Sequence, residues 1–136
     1  MTGHYDPLET RQPEEREQDL MARLPALIAA AMKAPGWQRH LKGVDAASMN
    51  SREALAKLPI LRKSELPALQ KAEPPFAGFV TAPVGSFARL FTSPGPIFEP
   101  ESTASDPWRA ARSLFAAGFR PGRPRGEPGS QPTGAV

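Results

Sequence analysis

Residues 55–66 read Leu-Ala-Lys-Leu-Pro-Ile-Leu-Arg-Lys-Ser-Glu-Leu. Pro59 cannot extend a helix that reaches it, because its ring clashes with the preceding turn and its nitrogen has no hydrogen to donate. The helix before it therefore ends near Lys57. Its start is signalled at Asn50, an N-cap residue, with Glu53 three positions on as the capping-box partner. Beyond Pro59, Ile60 and Leu61 form an apolar docking turn. Ser64 then caps a second short helix, whose first turn tolerates Pro67. The expectation is short helices joined by ordered, proline-marked turns.

Working toward the N-terminus, residues 1–12 read as an extended lead-in. Pro13, Glu14 and Glu15 suit a first helical turn: proline fits a position whose N–H is unpaired anyway, and carboxylates favour the positive end of the helix dipole. Leu20, Leu24, Leu27, Ile28 and Ala31 follow at helical spacing, so a helix is predicted from Pro13 to about Lys33. Pro25 interrupts it, at a cost of about 3 kcal/mol unless the helix bends or restarts. A kink or two short helices is predicted. Ala34-Pro35-Gly36 ends the segment, and residues 37–41 form a helical turn stopped by Gly43.

Toward the C-terminus, residues 73–88 contain Pro74, Pro75, Gly78, Pro83 and Gly85 and read as an ordered loop with one short strand candidate at 79–81. Residues 89–92 are a second strand candidate, running into a turn at Ser93-Pro94-Gly95-Pro96. A last helix is predicted from Asp106 as N-cap and Pro107 as first residue to Gly118 as stop. Trp108, Ala111, Leu114 and Phe115 form its apolar face. Residues 120–136 hold four prolines, four glycines and almost no apolar side chains. Such a segment cannot offset its ordering entropy and is predicted to be disordered.

With 17 prolines and 11 glycines among 136 residues, long uninterrupted elements are hard to build. The formal net charge of +3 arises from 17 basic and 14 acidic residues spread along the chain. Without a Lys/Arg block, this is a solvated surface rather than a nucleic-acid footprint. The absence of cysteine excludes a disulfide framework, a cysteine zinc site and a thiol nucleophile. The N-terminus lacks the order of a signal peptide, and no apolar run is long enough to span a bilayer. A cytoplasmic location is expected, with no membrane and no nucleic-acid partner.

Candidate chemistry is sparse. His4 lies in the lead-in, and His40 sits beside Arg39 as a solvated residue; neither has a second ligand at metal spacing. Glu14 with Glu15, and Glu99 with Glu101, fall in polar segments that would not raise a carboxyl pKa. No catalytic residue and no metal site is assigned. The strand–turn–helix of residues 89–118 is the arrangement with a mechanistic flavour, since a glycine turn after a strand can cradle phosphate with backbone N–H groups. Pro94 and Pro96 each delete one such donor.

The order of these segments resembles the N-terminal portion of the phenylacetate–CoA ligase family, within the adenylate-forming, AMP-binding superfamily. The resemblance runs over residues 4–119. It rests on Tyr5-Asp6-Pro7-Leu8-Glu9-Thr10-Arg11, on residues 31–41 with Trp37, Arg39 and His40, and on Pro75-Phe76-Ala77-Gly78. Above all it rests on residues 55–66, similar to the family's Leu-x-x-Leu-Pro-x-x-x-Lys-x-Asp/Glu-Leu signature. The resemblance implies an α/β fragment of the large N-terminal domain, mostly short helices with one or two strand pieces. The implied parent reaction joins a carboxylic acid, such as an aryl acid, to ATP as an acyl-adenylate and then to CoA, with Mg²⁺. Where the family has a phosphate loop reading Ser-Ser-Gly-Thr-Thr-Gly-x-Pro, this sequence has Thr92-Ser93-Pro94-Gly95-Pro96-Ile97-Phe98-Glu99-Pro100. Thr92, Ser93 and Gly95 are the nucleotide-contact candidates. The missing threonines, glycine and lysine, and the charge of Glu99, imply weakened or absent ATP binding.

After Phe119 the family's adenine-binding, ribose-binding and mobile C-terminal parts do not follow, and residues 123–136 read as out-of-frame translation of a GC-rich gene. The expectation is a truncated ligase-like protein, inactive alone and without bound cofactor. The alternative is a non-enzymatic helical docking module, or one half of a split ligase, whose apolar helix faces meet a protein partner.

Overall fold

A computed structural model describes residues 3–120. The chain is a small α/β fold of short helices and, among the described residues, one two-stranded sheet. Its described residues divide into two compact units, 11–107 and 3–10 with 108–120. The predicted tail lies, from residue 121 on, outside the described residues.

In the larger unit, α1 spans Pro13–Ala31. It runs through Pro25 as one helix, so the restart into two short helices that the sequence offers as one expectation does not occur. Proline deletes a single donor, and the turns on either side retain theirs. An ion pair of Arg23 with Asp19 at 2.6 Å braces the preceding turn, and Arg11 reaches the same carboxylate at 3.0 Å. These two guanidinium groups, Arg11 foremost, hold the Asp19 carboxyl below its ordinary range.

Helix α2 spans Pro35–His40, with Pro35 in its first turn. The proline that seemed to end one helix instead starts the next. A 3₁₀ turn at Ala46–Ser48 packs on α1, closed by Asp45, which accepts from the Ala47 amide at 3.1 Å. Helix α3, Arg52–Leu55, is capped by Ser51, whose hydroxyl accepts from the Ala54 amide at 3.2 Å. The predicted cap, Asn50, is one residue too early. Both are good capping residues, and the extended backbone at Ser51 decides between them. Arg52 grips Glu17 of α1 with two contacts of 2.6 Å.

A 3₁₀ turn at Lys63–Glu65 leads into α4, Leu66–Ala72. Ser64 lies inside that turn and makes no cap, contrary to expectation; the cap position, Glu65, is already helical. Residues 73–83 form a loop, and the strand predicted at 79–81 does not form. Strand β1, Arg89–Ser93, instead pairs antiparallel with β2, Ile97–Glu101, which the sequence reading missed.

The core of this unit lies where α2 meets the loop after α4. Ala34, Leu41, Phe76 and Ala77 are buried there. The Gly36 amide donates to the Gly78 carbonyl at 2.7 Å. A methyl group on Gly36 would sit 2.5 Å from the Ala77 carbonyl oxygen, so only glycine lets the backbones approach this closely. Trp37 meets Phe79 edge to face at 5.1 Å, and Phe76 meets Phe87 at 5.6 Å.

In the smaller unit, a 3₁₀ turn at Pro7–Thr10 faces α5, Ala111–Ala116. Arg112 forks onto Asp6 at 2.8 and 3.1 Å, and this contact holds the Asp6 carboxyl below its ordinary range. Tyr5 meets Phe115 edge to face at 5.8 Å. The last helix is shorter than the predicted Asp106–Gly118 span. Arg109 adopts a positive φ of 53°, so the helical path begins only after it. Its end is as read: Gly118 has φ 92°, its amide returns to Phe115 and that of Phe119 to Leu114, closing a Schellman motif.

Candidate functional site

The nucleotide-contact candidates fall on the hairpin. Thr92 and Ser93 end β1, and Gly95 lies in the turn at φ 124°. A second strand follows the turn, so the arrangement is strand–turn–strand and not the strand–turn–helix read from the sequence. The register pairs Ser93 with Ile97, Thr92 with Phe98 and Phe91 with Glu99. Thr92 and Ser93 therefore show their side chains on opposite faces. Thr92 is exposed. The Ser93 hydroxyl lies on the face of buried Ile97 and is, among the described residues, a buried side-chain oxygen with no hydrogen-bond partner.

Helix α4 fixes the hairpin through one side chain. Gln70, 7% exposed, accepts from the Phe98 amide at 2.9 Å and donates to the Phe98 carbonyl at 3.0 Å. Its amide acts as a single residue of a third strand. Lys63 reaches Glu99 at 3.1 Å. The negative charge read as hostile to phosphate is thus partly balanced, and a lysine does stand near the hairpin. It comes from the Leu-Pro-x-x-x-Lys segment, 36 positions upstream of Glu99. Arg89 and Glu101 pair across the strands at 2.5 Å.

Between α4 and the hairpin lies a groove of about 490 Å³, walled by Pro67, Ala68, Pro74, Pro96 and Phe98, with Lys71 at its margin. Its lining is apolar. The turn contributes one backbone N–H, that of Gly95, between two prolines. The Ser93 hydroxyl is buried. This donor set does not fit a triphosphate, which takes several converging N–H and hydroxyl groups.

A second hollow, about 270 Å³, is lined by Gly36, Arg39, His40, Leu61, Glu65 and Phe79, among others. Arg39 donates to the Ala77 carbonyl at 3.1 Å and pairs with Glu73. His40 is half-buried, not solvated as read: its Nε2 lies 3.1 Å from the Pro59 carbonyl and its ring against Trp37. Residues from three of the recognised segments, 31–41, 55–66 and 75–78, converge here. His4 lies 3.6 Å from the Glu9 carboxylate. Among the described residues no cluster of potential metal ligands is found, and no helix is long and apolar enough to cross a membrane.

No family model and no curated protein sequence matches the chain. Solved structures do. A 2-hydroxyisobutyryl-CoA ligase in the postadenylation state, in complex with R3-HIB-AMP, superposes with a TM-score of 0.77 and 26% identity over 89% of this chain. The same ligase with 2-HIB-AMP and CoA, in the thioesterification state, gives 0.74 and 27% over 89%. The chain spans 27% and 28% of the length of those ligase chains. By fold and by identity, the chain is similar to about a quarter of an acyl-CoA ligase of the adenylate-forming superfamily.

Proposed function

We propose that this protein is the N-terminal portion of the large domain of an acid–CoA ligase, residues 1–119, followed by an out-of-family tail at 120–136. The parent chemistry is formation of an acyl-adenylate from a carboxylic acid and ATP, with Mg²⁺, and then of a CoA thioester. The observation that carries this reading is the 0.77 TM-score over 89% of the chain to a ligase bound to an acyl-adenylate. An aryl acid such as phenylacetate is the proposed parent substrate, supported by the signature at residues 55–66. The cytoplasm is the proposed location.

This chain alone is proposed not to catalyse the reaction. Thr92, Ser93 and Gly95 are the residues proposed to meet phosphate, yet two prolines, a buried hydroxyl and an apolar groove leave them few donors. Calorimetry of the 136-residue chain with ATP and Mg²⁺ tests this. No saturable heat is expected from folded protein; saturable binding would overturn the proposed inactivity and call for an acyl-adenylate assay.

A second reading, a docking module or one half of a split ligase, is supported by the thinness of the core. Among the described residues no large side chain is fully buried, while Ile60 is 75% and Leu27 62% exposed. A neighbouring reading frame encoding the rest of a ligase favours the split enzyme.

A further inference from the structure

The groove between α4 and the hairpin has walls poor in hydrogen-bond donors. Pro67, Pro74 and Pro96 have no backbone N–H. Gln70, which also lines it, has its side-chain amide committed to Phe98 as donor and as acceptor. What these walls offer a ligand is apolar surface: proline rings, the methyl group of Ala68 and the ring of Phe98, which is 41% exposed. At about 490 Å³ the groove has the size that takes a small organic molecule. It is also preformed. Each proline has a fixed φ, and Gln70 ties α4 to β2, so binding orders little that is not already ordered.

One charge stands at this surface. Lys71 lies in the last turn of α4 and lines the groove. The residues three and four positions from it, Pro67, Ala68, Pro74 and Pro75, include no acid. Glu73, the nearest acid along the chain, is taken by Arg39. Among the described residues Lys71 makes no ion pair, whereas Lys63, on the approach to α4, is matched by Glu99. An apolar groove with one unneutralised ammonium group repels cations and has too few donors for a polyphosphate. It suits a molecule with an apolar body and a single carboxylate. The body leaves water for the groove, while a lysine stem follows apolar surface and carries its charge to the carboxylate.

We propose that the groove between α4 and the hairpin is a binding site for a small apolar carboxylate, its hydrocarbon part against Pro67, Pro74, Pro96 and Phe98 and its carboxylate on the Lys71 ammonium. A ligand of under ten heavy atoms in an open groove binds weakly, with a dissociation constant on the order of 1 mM. This inference rests on the groove alone. It stands whether or not the turn of the hairpin meets nucleotide.

Titration of the ¹⁵N-labelled 136-residue chain with sodium hexanoate, followed by amide NMR up to about 20 mM, tests it. Saturable shifts are expected at residues 68–71 and 97–98, with residues 36–40 unmoved. Hexan-1-ol has the same chain length and no charge, and should bind at least about threefold more weakly. Lys71→Glu reverses the charge at an exposed position and should weaken hexanoate at least about tenfold. Ala68→Trp, also at an exposed position, fills the groove and should abolish the shifts; it decides the matter if the charge variant loses its fold by circular dichroism. Absence of saturable shifts at 68–71 and 97–98 overturns the proposal. So does hexan-1-ol binding as tightly as hexanoate, or a hexanoate affinity unchanged in a folded variant.

Discussion

The contact of residues 34–41 with 73–79 and the hairpin of residues 89–101 are built by opposite means. The first joins two backbone segments directly: Gly36 lies against Gly78, Ala34 and Ala77 are almost wholly enclosed, and Trp37 and Phe79 close the side. The second is held at a distance by side chains, Gln70 at the backbone of Phe98 and Lys63 at Glu99. The first depends on the absence of atoms, the second on the presence of a few. Two of the ligase-like segments, 31–41 and 75–78, meet in the first. The second, where phosphate contact is proposed, has an apolar groove and two prolines in its turn.

The sharpest way to break this contrast is Gly36→Ala. The added methyl meets the carbonyl oxygen of Ala77 and the backbone of Gly78, neither of which is a flexible tip. A loss of about 3 kcal/mol is expected, read as a lower urea midpoint. Tolerance of alanine would mean that the two segments are not in intimate contact.

Gln70→Leu acts on the other region. It keeps the volume and deletes both bonds to Phe98, at about 2 kcal/mol for the stranded backbone groups. Amide hydrogen exchange should accelerate in residues 89–101 and hold steady in 34–41. Equal acceleration in both would show one cooperative unit where the contrast supposes two.

Lys63→Ala should cost about 0.5 kcal/mol or less, because its pair with Glu99 is largely exposed. A thermal melt should barely move. A large shift would promote Lys63 from a surface partner to a structural anchor of the hairpin.

The smallest effect belongs to acid and serves as a control outside both regions. Asp19 and Asp6 are lowered by Arg11 and Arg112 respectively. A carboxyl depressed on folding adds stability above its unfolded value, about 3.9. That stability is lost as pH falls through the depressed value. Carboxyl carbon titration by NMR should place both midpoints below about 3.9. Midpoints at or above it would remove these two pairs from the fold.

The sequence made the short-helix character and several turns legible, because proline and glycine act locally. Pro13 and Pro67 sit in first turns as read, and Gly118 ends α5 as read. What stayed hidden depends on distant partners. Ile97-Phe98-Glu99-Pro100-Glu101 has the composition of a loop and becomes a strand only when paired with β1 and held by Gln70. The break before α5 is a single positive φ at Arg109, and nothing in that residue type announces it. For the candidate site, the sequence located the turn and its missing donors. It did not reveal that the Ser93 hydroxyl is enclosed, or that Lys63 stands opposite Glu99. A glutamine seven residues after the Leu-Pro-x-x-x-Lys lysine, on the same short helix region, is a weak signal that gains meaning only from the fold.

Gln70 has one more consequence, which concerns the ageing of the molecule. Its amide is at once donor and acceptor to the same residue, and glutamate cannot imitate that. Hydrolytic deamidation would replace the donor nitrogen with a second acceptor oxygen facing the Phe98 carbonyl. An old preparation could thus lose its hold on the hairpin with no change in chain length and almost none in mass, and ion-exchange chromatography would detect the change as one added negative charge.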